Sequence, residues 1–453
     1  MTLDSSTSVG PLAAALLADR GLGPDAVPLE IDPRDEMLSF LLEANEGDLD
    51  RARFIYYLSG LGVADSLRQV LLWRFGSWGR IGRLLDFASG YGRVVRFLLR
   101  DLPPERVWVA DLYEEAVAFQ RERFGVHGLA SAVRPQDFAG AERFDAILVT
   151  SLFTHLPEER FVGWLRRLLE RLAPGGMLLF SVHDEAVLTP GQEMPAAGIR
   201  FEDWSESASL DPSDYGSAWV TEGFVRGALA RALPGAPLAV HRLRRALVHF
   251  QDLYAVVPEA PGETVDFSTL AFRGEPQVYV ESCAFPEPDR LELAGWAAAR
   301  GVARIREIQI LLDGEVLAAA PVDGDRPDVA AHFGDTGDAG LRPGWRIAVR
   351  LPPGTSRSRS LLAIRAVDDR GTARLVDVGS TEHALLSAAR REAGRLGREL
   401  YQLREDFRIL EGTSRSRIEW LEAVLGEMRE SRFWKMRTLW FRLKRALGLT
   451  DEV

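Results

Sequence analysis

Apolar residues change their spacing several times along the chain, and each change predicts a different architecture. Met37, Phe40 and Leu41, then Phe54, Tyr57, Leu58 and Leu61, recur three and four apart, which predicts two amphipathic helices between residues 36 and 75. From Arg83 onward short apolar runs alternate with longer helical patterns. The runs fall at 84–87, 107–110, 131–134, 146–150, 177–182, 239–242 and 253–257. Seven strands with intervening helices predict one α/β domain over 36–258, built on a parallel, doubly wound sheet. Beyond Pro258 the period drops to two, at 291–296, 305–312, 345–351 and 361–367, broken by Asp313-Gly314 and Pro352-Pro353-Gly354. A small all-β, sandwich-like domain is expected over 277–380. From Thr381 the chain turns helical again. Leu386, Ala389, Ala393, Leu396, Leu400, Leu403, Phe407 and Leu410 form a heptad seam that Gly412-Thr413-Ser414 interrupts and Ile418, Leu421, Leu425 and Met428 resume. This predicts a C-terminal helical coiled coil over 381–430, then a tail helix over 431–453. Residues 1–35 are expected to be a flexible segment.

Composition narrows the classes. A chain of 453 residues exceeds what one core usually serves, in keeping with several domains. Its formal net charge of −11 argues against nucleic acid as a partner and confines any basic surface to local patches. Such a patch lies in the tail, where Arg432, Lys435, Arg437, Arg442, Lys444 and Arg445 accompany an apolar stripe of Phe433, Met436, Trp440, Leu443 and Leu447. A helix of this kind suits the surface of an anionic membrane, and its rival role is packing on the protein's own body. The single cysteine, Cys283, allows no intrachain disulfide and fits a reducing compartment. The first residues carry no basic stretch before the short apolar run 12–17, and nothing approaches 18 consecutive apolar residues, so neither a secretory leader nor a membrane span is expected. A cytoplasmic protein, peripheral at the inner membrane face through its tail, is the expectation.

The segment Leu84-Leu85-Asp86-Phe87-Ala88-Ser89-Gly90-Tyr91-Gly92-Arg93 holds the central chemical signal. An apolar strand runs into a glycine-containing turn and then a helix, a place where backbone approaches a ligand closely and free N–H groups point at it. A dinucleotide site would want a small third residue in this turn, and Val95 stands there instead. Asp86 stands four residues before Gly90. This Asp-x-x-x-Gly-x-Gly segment resembles the first motif of class I S-adenosylmethionine-dependent methyltransferases, which implies a Rossmann-like seven-stranded fold and S-adenosylmethionine as cofactor. The resemblance places Asp86, Ala88, Ser89, Gly90 and Gly92 around the amino-acid part of that cofactor.

Further matches follow in order. Asp111 closes the second strand about 20 residues after the glycines, where a carboxylate accepts from ribose hydroxyls, and Leu112 follows it; a capping box with Glu114 is the plainer role. The resemblance assigns Asp137 to the adenine amino group and Phe138 to its ring, and it puts Ser151, after the fourth strand, beside the methyl group. Leu172-Ala173-Pro174-Gly175-Gly176-Met177 is similar to the family's turn into the fifth strand, and 215–219 with 249–254 resemble its last third, where two final strands form a hairpin. His155 is the candidate general base for a hydroxyl acceptor, His183 the second candidate. A His183/Asp184/Glu185 metal site would rest on adjacency alone, so no metal is assigned. Tyr56 and Tyr57 are candidates for a lid or for core packing.

The expected acceptor is a small molecule or glycan hydroxyl, and the coiled coil implies a homo-oligomer. The sandwich-like segment and the tail wording from Ser431 to Lys444 resemble parts of bacterial glycan-assembly proteins. A non-catalytic scaffold of such an assembly and an NAD-dependent oxidoreductase are the alternatives; the intact glycine turn with Asp111 weighs against the first, and Val95 and Asp86 against the second.

Overall fold

The computed structural model describes residues 9–23, 25–189, 191–205, 210–260, 262, 264–333, 341–430 and 432–446. Three helices open the chain: α1 (Pro11–Asp19), α2 (Glu36–Ala44) and α3 (Leu49–Phe75). The described part of 1–35 is not the flexible segment that its sequence suggested. Leu12, Ala13, Leu16 and Leu17 recur at helical spacing on α1 and are buried in the main core. At the end of α1, Asp19 accepts from Arg365 Nε and Leu375 N, both at 2.7 Å, and Arg20 pairs with Asp65 at 2.9 Å. Each of α2 and α3 starts on an aspartate cap, Asp35 and Asp48, whose carboxylate accepts a first-turn N–H.

The sheet domain follows as β1 (Leu84–Phe87), α4 (Val95–Leu98), β2 (Val107–Asp111), α5 (Glu114–Phe124), β3 (His127–Ala130), β4 (Phe144–Val149), α6 (Glu158–Leu169), β5 (Leu172–Asp184), β6 (Ile199–Glu202), β7 (Ser217–Val220), α7 (Glu222–Ala232), β8 (Leu238–Leu247) and β9 (Gln251–Pro258). Strands β3, β2, β1, β4 and β5 lie parallel in that order, β9 adds antiparallel to β5, and β8 adds antiparallel to β9. These are the seven strands expected, with one displaced. The third occupies 127–130 and not 131–134, because Gly128 and Leu129 pair with Val109 and Ala110 while Pro135 starts a helical turn. An additional hairpin, β6 with β7, extends the sheet to nine strands through two residues at the end of β5. Residues 217–219 belong to this insertion and not to the final hairpin, which is β8 with β9.

Arg96, fully buried on α4, ties the N-terminal residues to this sheet. It donates to the carbonyls of Tyr91, Gly92, Pro28 and Glu30 at 2.9–3.2 Å and lies over the rings of Tyr56, Tyr57 and Phe124. Tyr56 donates to Asp35 and Tyr57 to the Leu29 carbonyl. Both tyrosines are buried and anchor the chain, so neither is a lid. Replacing Arg96 with methionine keeps much of its volume but strips buried carbonyls of their donor, at about 1–3 kcal/mol for each left unsatisfied. Arg96→Met is expected to lose at least about 3 kcal/mol in urea unfolding and to expose residues 20–35 to protease. A loss under about 1 kcal/mol would show that water replaces the guanidinium without cost.

Two antiparallel sheets come next: β10 (Gln277–Glu287), β11 (Arg290–Ala298), β12 (Ile305–Leu312), β13 (Glu315–Pro321), α8 (Pro327–His332), β14 (Gly344–Arg350), β15 (Leu361–Asp368) and β16 (Ala373–Ser380). One runs β10-β11-β14, the other β13-β12-β15-β16, and both contribute to one apolar cluster that includes Leu291, Leu293, Ile308, Ile310, Trp345, Ile347 and Ile364. Strands β10, β13 and β16 were not evident from alternation alone, since their burial patterns are irregular.

From Leu386 the chain forms a second compact unit. Helix α9 (Thr381–Glu430) runs without a break through Gly412-Thr413-Ser414, where an interruption was expected, and α10 (Arg432–Ala446) follows. Leu396, Leu400, Leu403, Phe407 and Leu410 on α9 are all exposed. Among the described residues no helix is long and apolar enough to cross a membrane.

Candidate functional site

Strand order reverses between β1 and β4: the chain runs from β1 to β2 and β3 on one side, then returns to β4 on the other. Loops leaving the C-terminal ends of two such strands diverge and open a crevice, the usual ligand position in a doubly wound sheet. Asp86, in β1, and Asp111, at the end of β2, bring two carboxylates to this place.

The turn after β1 is shaped for backbone approach. Ala88, Gly90 and Gly92 all have positive φ, at 57°, 53° and 78°. A side chain at Gly92 would strike Phe124 and Gln120, so this glycine serves packing, whereas a Cβ at Gly90 would meet nothing within 4 Å. Space is thus kept open over Gly90. Ala88 occupies a left-handed conformation that usually costs a non-glycine residue about 1–2 kcal/mol. The N–H groups of Ala88 and Ser89 hold it there by donating to the Ala110 carbonyl at 2.8 and 3.2 Å. Asp111 clamps the tip: its Oδ2 accepts from Gly90 N at 2.8 Å and its Oδ1 from Tyr113 N at 3.1 Å. From α5, Gln120 donates to Ser89 Oγ at 2.9 Å and to the Gly90 carbonyl at 2.7 Å. Sequence reasoning missed Gln120. The available signal was a lone amide on the buried face that Ala116, Phe119 and Phe124 share on α5.

Asp86 is 1% exposed, and its Oδ1 has no hydrogen-bond partner among the described residues. Burial, with the Asp111 charge adding, pushes its carboxyl up to about 7, and Arg93 opposes the rise. A buried, unpartnered carboxylate beside an open turn fits a cationic group, and Asp111 has lone pairs left for hydroxyls. The residues present therefore fit S-adenosylmethionine, with its ammonium and ribose.

The raised Asp86 proton affinity also sets a pH dependence. The folded protein holds this proton more tightly than an unfolded chain, where the ordinary value is 3.8. The contribution is therefore full below about pH 4 and lost as pH rises through about 7, by at most about 4 kcal/mol. Asp86→Asn is expected to be more stable than the parent at about pH 8 and to show a shallower decline between about pH 5 and 8 in urea unfolding. An unchanged decline would mean that the folded carboxyl is already ionised.

Beyond β4 and β5 lies a second set of groups. Ser151, at φ 64°, donates its N–H to Ser181 Oγ at 2.8 Å, and Gln251 of β9 bonds both hydroxyls, at 3.0 and 2.8 Å. His155 is 6% exposed, stacks on Tyr215 with 4.4 Å between ring centroids, and its Nδ1 lies 2.7 Å from the Gly216 carbonyl. A carbonyl only accepts, so Nδ1 carries a proton, and whenever the ring is neutral the lone pair is on Nε2. His183 sits between Trp219 and Phe250. Burial, and then His155, pushes it down to about 4, leaving it neutral near pH 7. Asp184 is held by Arg242 at 2.8 Å and by the Ala186 N–H, and among the described residues no three metal-ligating side chains converge.

The structure therefore gathers Asp86, Ala88, Ser89, Gly90, Gly92 and Asp111 into one turn and clamp, with Leu112 half-buried beside it and Ser151 and His155 beyond the neighbouring strand. It does not bring Phe138 to an open face. That ring is 1% exposed and packed on Phe87 and Trp164, a core position that its helical turn at 135–137 dictates. Asp137 is exposed on the same turn.

Residues 85–178 match the model of a family described as "Methyltransferase domain". The glycine turn, both carboxylates and His155 fall inside that span. Over these residues the chain is similar to a methyltransferase domain. No curated protein matches the chain. Among solved structures, the glycopeptide N-methyltransferase MtfA complexed with sinefungin shares 20% identity over 44% of this chain and 94% of its own, at TM-score 0.32. Streptomyces venezuelae DesVI shares 17% over 51% and 100%, at TM-score 0.35. The DhpI complex with S-adenosylhomocysteine (SAH) shares 21% over 50% and 96%, at TM-score 0.33. Likenesses of this size say nothing about the acceptor.

Proposed function

We propose that this protein is an S-adenosylmethionine-dependent methyltransferase acting on a hydroxyl of a sugar or other small molecule. One observation carries the reading: an open glycine turn at the reversal point of the sheet, flanked by the unpartnered Asp86 carboxylate and the Asp111 clamp. Asp86 and the backbone of Ser89 and Gly90 would hold the amino-acid part of the cofactor, and Asp111 the ribose. When bound, it supplies an activated methyl group on a sulfonium centre. The protein's own task is then orientation and proton removal. His155 Nε2 would take the proton of the acceptor hydroxyl. Tyr215, Trp219 and Phe250 place flat apolar faces against the two histidines, a mixture suited to a sugar ring.

Titration calorimetry with S-adenosylmethionine tests the reading. Micromolar binding by the full chain, lost in Gly90→Val because the new side chain fills the open space, is the expected result. No binding by the parent chain would overturn it in favour of a non-catalytic scaffold.

The exposed apolar row on α9 supports self-association, and α10, whose Trp440, Phe441 and Leu443 are exposed among Arg442 and Lys444, supports contact with an anionic membrane surface. Both extend the reading to a glycan-assembly enzyme at the inner membrane face. Sedimentation velocity and flotation with phosphatidylserine vesicles check them, and a monomer that stays off vesicles would remove both.

A further inference from the structure

A cleft of about 390 Å³ lies away from the glycine turn, between the sheet domain and the segments that precede β10 and follow β11. Its walls come from the start of α7, from residues 240–244 of β8, from 270 and 272, and from 300–302. Three features set it apart in a chain of net charge −11.

The first is charge. Arg226, Arg242, Arg244 and Arg300 line the cleft against a single carboxylate, Glu222. Arg242 is held rigidly by Asp252, Asp184 and Glu222 at 2.6, 2.8 and 3.2 Å, and Arg226 pairs with Glu222 at 2.8 Å. Arg244 is exposed and has no ion pair among the described residues. Arg300 is nearly buried, with Phe333 against its guanidinium at 4.7 Å, so a charge is built into the wall and does not sway in solvent.

The second feature is backbone. Among the described strands β8 pairs with β9 alone, so its outer edge, which forms one wall, keeps N–H donors that none of those strands pairs. The third is an apolar floor of Leu243, Leu270, Phe272 and Val302. Guanidinium groups match phosphate and carboxylate oxygens in pairs, and an apolar floor wants a flat or aliphatic body attached to the anion.

We propose that this cleft is a binding site for a small organic anion, a phosphate ester or carboxylate carried on a planar or apolar body. Its walls share no residue with the glycine turn, so it stands or falls independently of the methyl-transfer reading. Arg242 reaches from the cleft to the end of β5, since it bonds Asp184 directly after His183.

Calorimetric titration of the full chain at low ionic strength with phenyl phosphate, inorganic phosphate, benzoate and phenol tests the proposal. Phenyl phosphate or benzoate is expected to bind, inorganic phosphate more weakly by at least threefold, and phenol not at all. Raised salt should weaken the anions. Arg244→Glu is expected to weaken binding at least tenfold and Arg226→Gln severalfold, with S-adenosylmethionine affinity and the urea midpoint unchanged. Arg244→Gln, which removes the charge without reversing it, should fall between Arg244→Glu and the parent. Equal affinity in parent and variants, or no binding of either aromatic anion, would overturn the site.

Discussion

Replacing His155 with asparagine is expected to lower kcat for methylation of a hydroxyl acceptor by about 10²- to 10⁴-fold while leaving S-adenosylmethionine binding within about twofold of the parent. The size of the effect follows from the geometry. His155 is fixed on three sides: its Nδ1–H bonds the Gly216 carbonyl, its backbone carbonyl accepts from Gly216 N at 2.9 Å, and its ring lies on Tyr215. An imidazole held in one tautomer presents its Nε2 lone pair in one direction, which is the requirement for a general base. Asparagine reproduces the Nδ1 donor to Gly216 and the short stem, so the loop should keep its shape, but it has no basic nitrogen. The loss should appear in kcat and not in cofactor affinity, and the acid limb of the kcat–pH profile should disappear. A variant that loses stability and cofactor binding together would instead assign His155 to pinning residues 151–156 against β7. The neutral His183 nearby would then be the base to test.

Asp111→Ala carries the second large effect, a loss of about 10²- to 10³-fold in S-adenosylmethionine affinity. Two causes add. The carboxylate is buried and already accepts the N–H groups of Gly90 and Tyr113, and each charged hydrogen bond of this kind contributes about 1.5–3 kcal/mol. Alanine leaves both donors unsatisfied and frees the tip of the glycine turn, so the turn must be reordered when the cofactor binds. The acceptor for ribose hydroxyls is lost as well. Asp111→Asn separates the two. Its single carbonyl can keep the Gly90 clamp while giving up the negative charge, and it should recover part of the affinity. If calorimetry shows alanine and parent binding alike, Asp111 is a cap for the turn and nothing more.

The legible part of this protein was local. Asp86, Gly90 and Gly92 announced a ligand turn, because only a few residue types tolerate positive φ directly after a strand, and Asp111 followed at the spacing of one helix and one strand. Strand existence was equally plain where a strand is buried on both faces, as in β1, β2, β4 and β5, since such strands read as unbroken apolar runs. Strand β3 misled because it is an edge strand of four residues with only partial burial, and its His-Gly-Leu-Ala carries too little hydrophobic signal to be placed. The β6–β7 hairpin was invisible for a similar reason, being short and seated on the end of β5.

The site shows the same division. Periodicity on α5 could reveal that Gln120 lies on a buried face, but not that its amide reaches back about 30 residues to Ser89 and Gly90. Phe138 had the residue type for an adenine contact, yet the core claimed its ring, since Phe87 and Trp164 offered apolar area that solvent could not. Arg96 and the start of the chain were wholly nonlocal: nothing in 1–35 says that the carbonyls of Pro28 and Glu30 will be held by a guanidinium from α4.

By itself, then, the sequence determined the α/β and all-β regions, the strands buried on both faces, and the glycine turn after β1, because these depend on backbone preference and on hydrophobic period within a few residues. Only the tertiary structure decided which carboxylate is left without a partner, which histidine is held in one tautomer, which aromatic ring faces a core, and where four arginines converge. Those outcomes depend on which distant groups satisfy or exclude one another once water has been removed, and no window along the chain contains both partners.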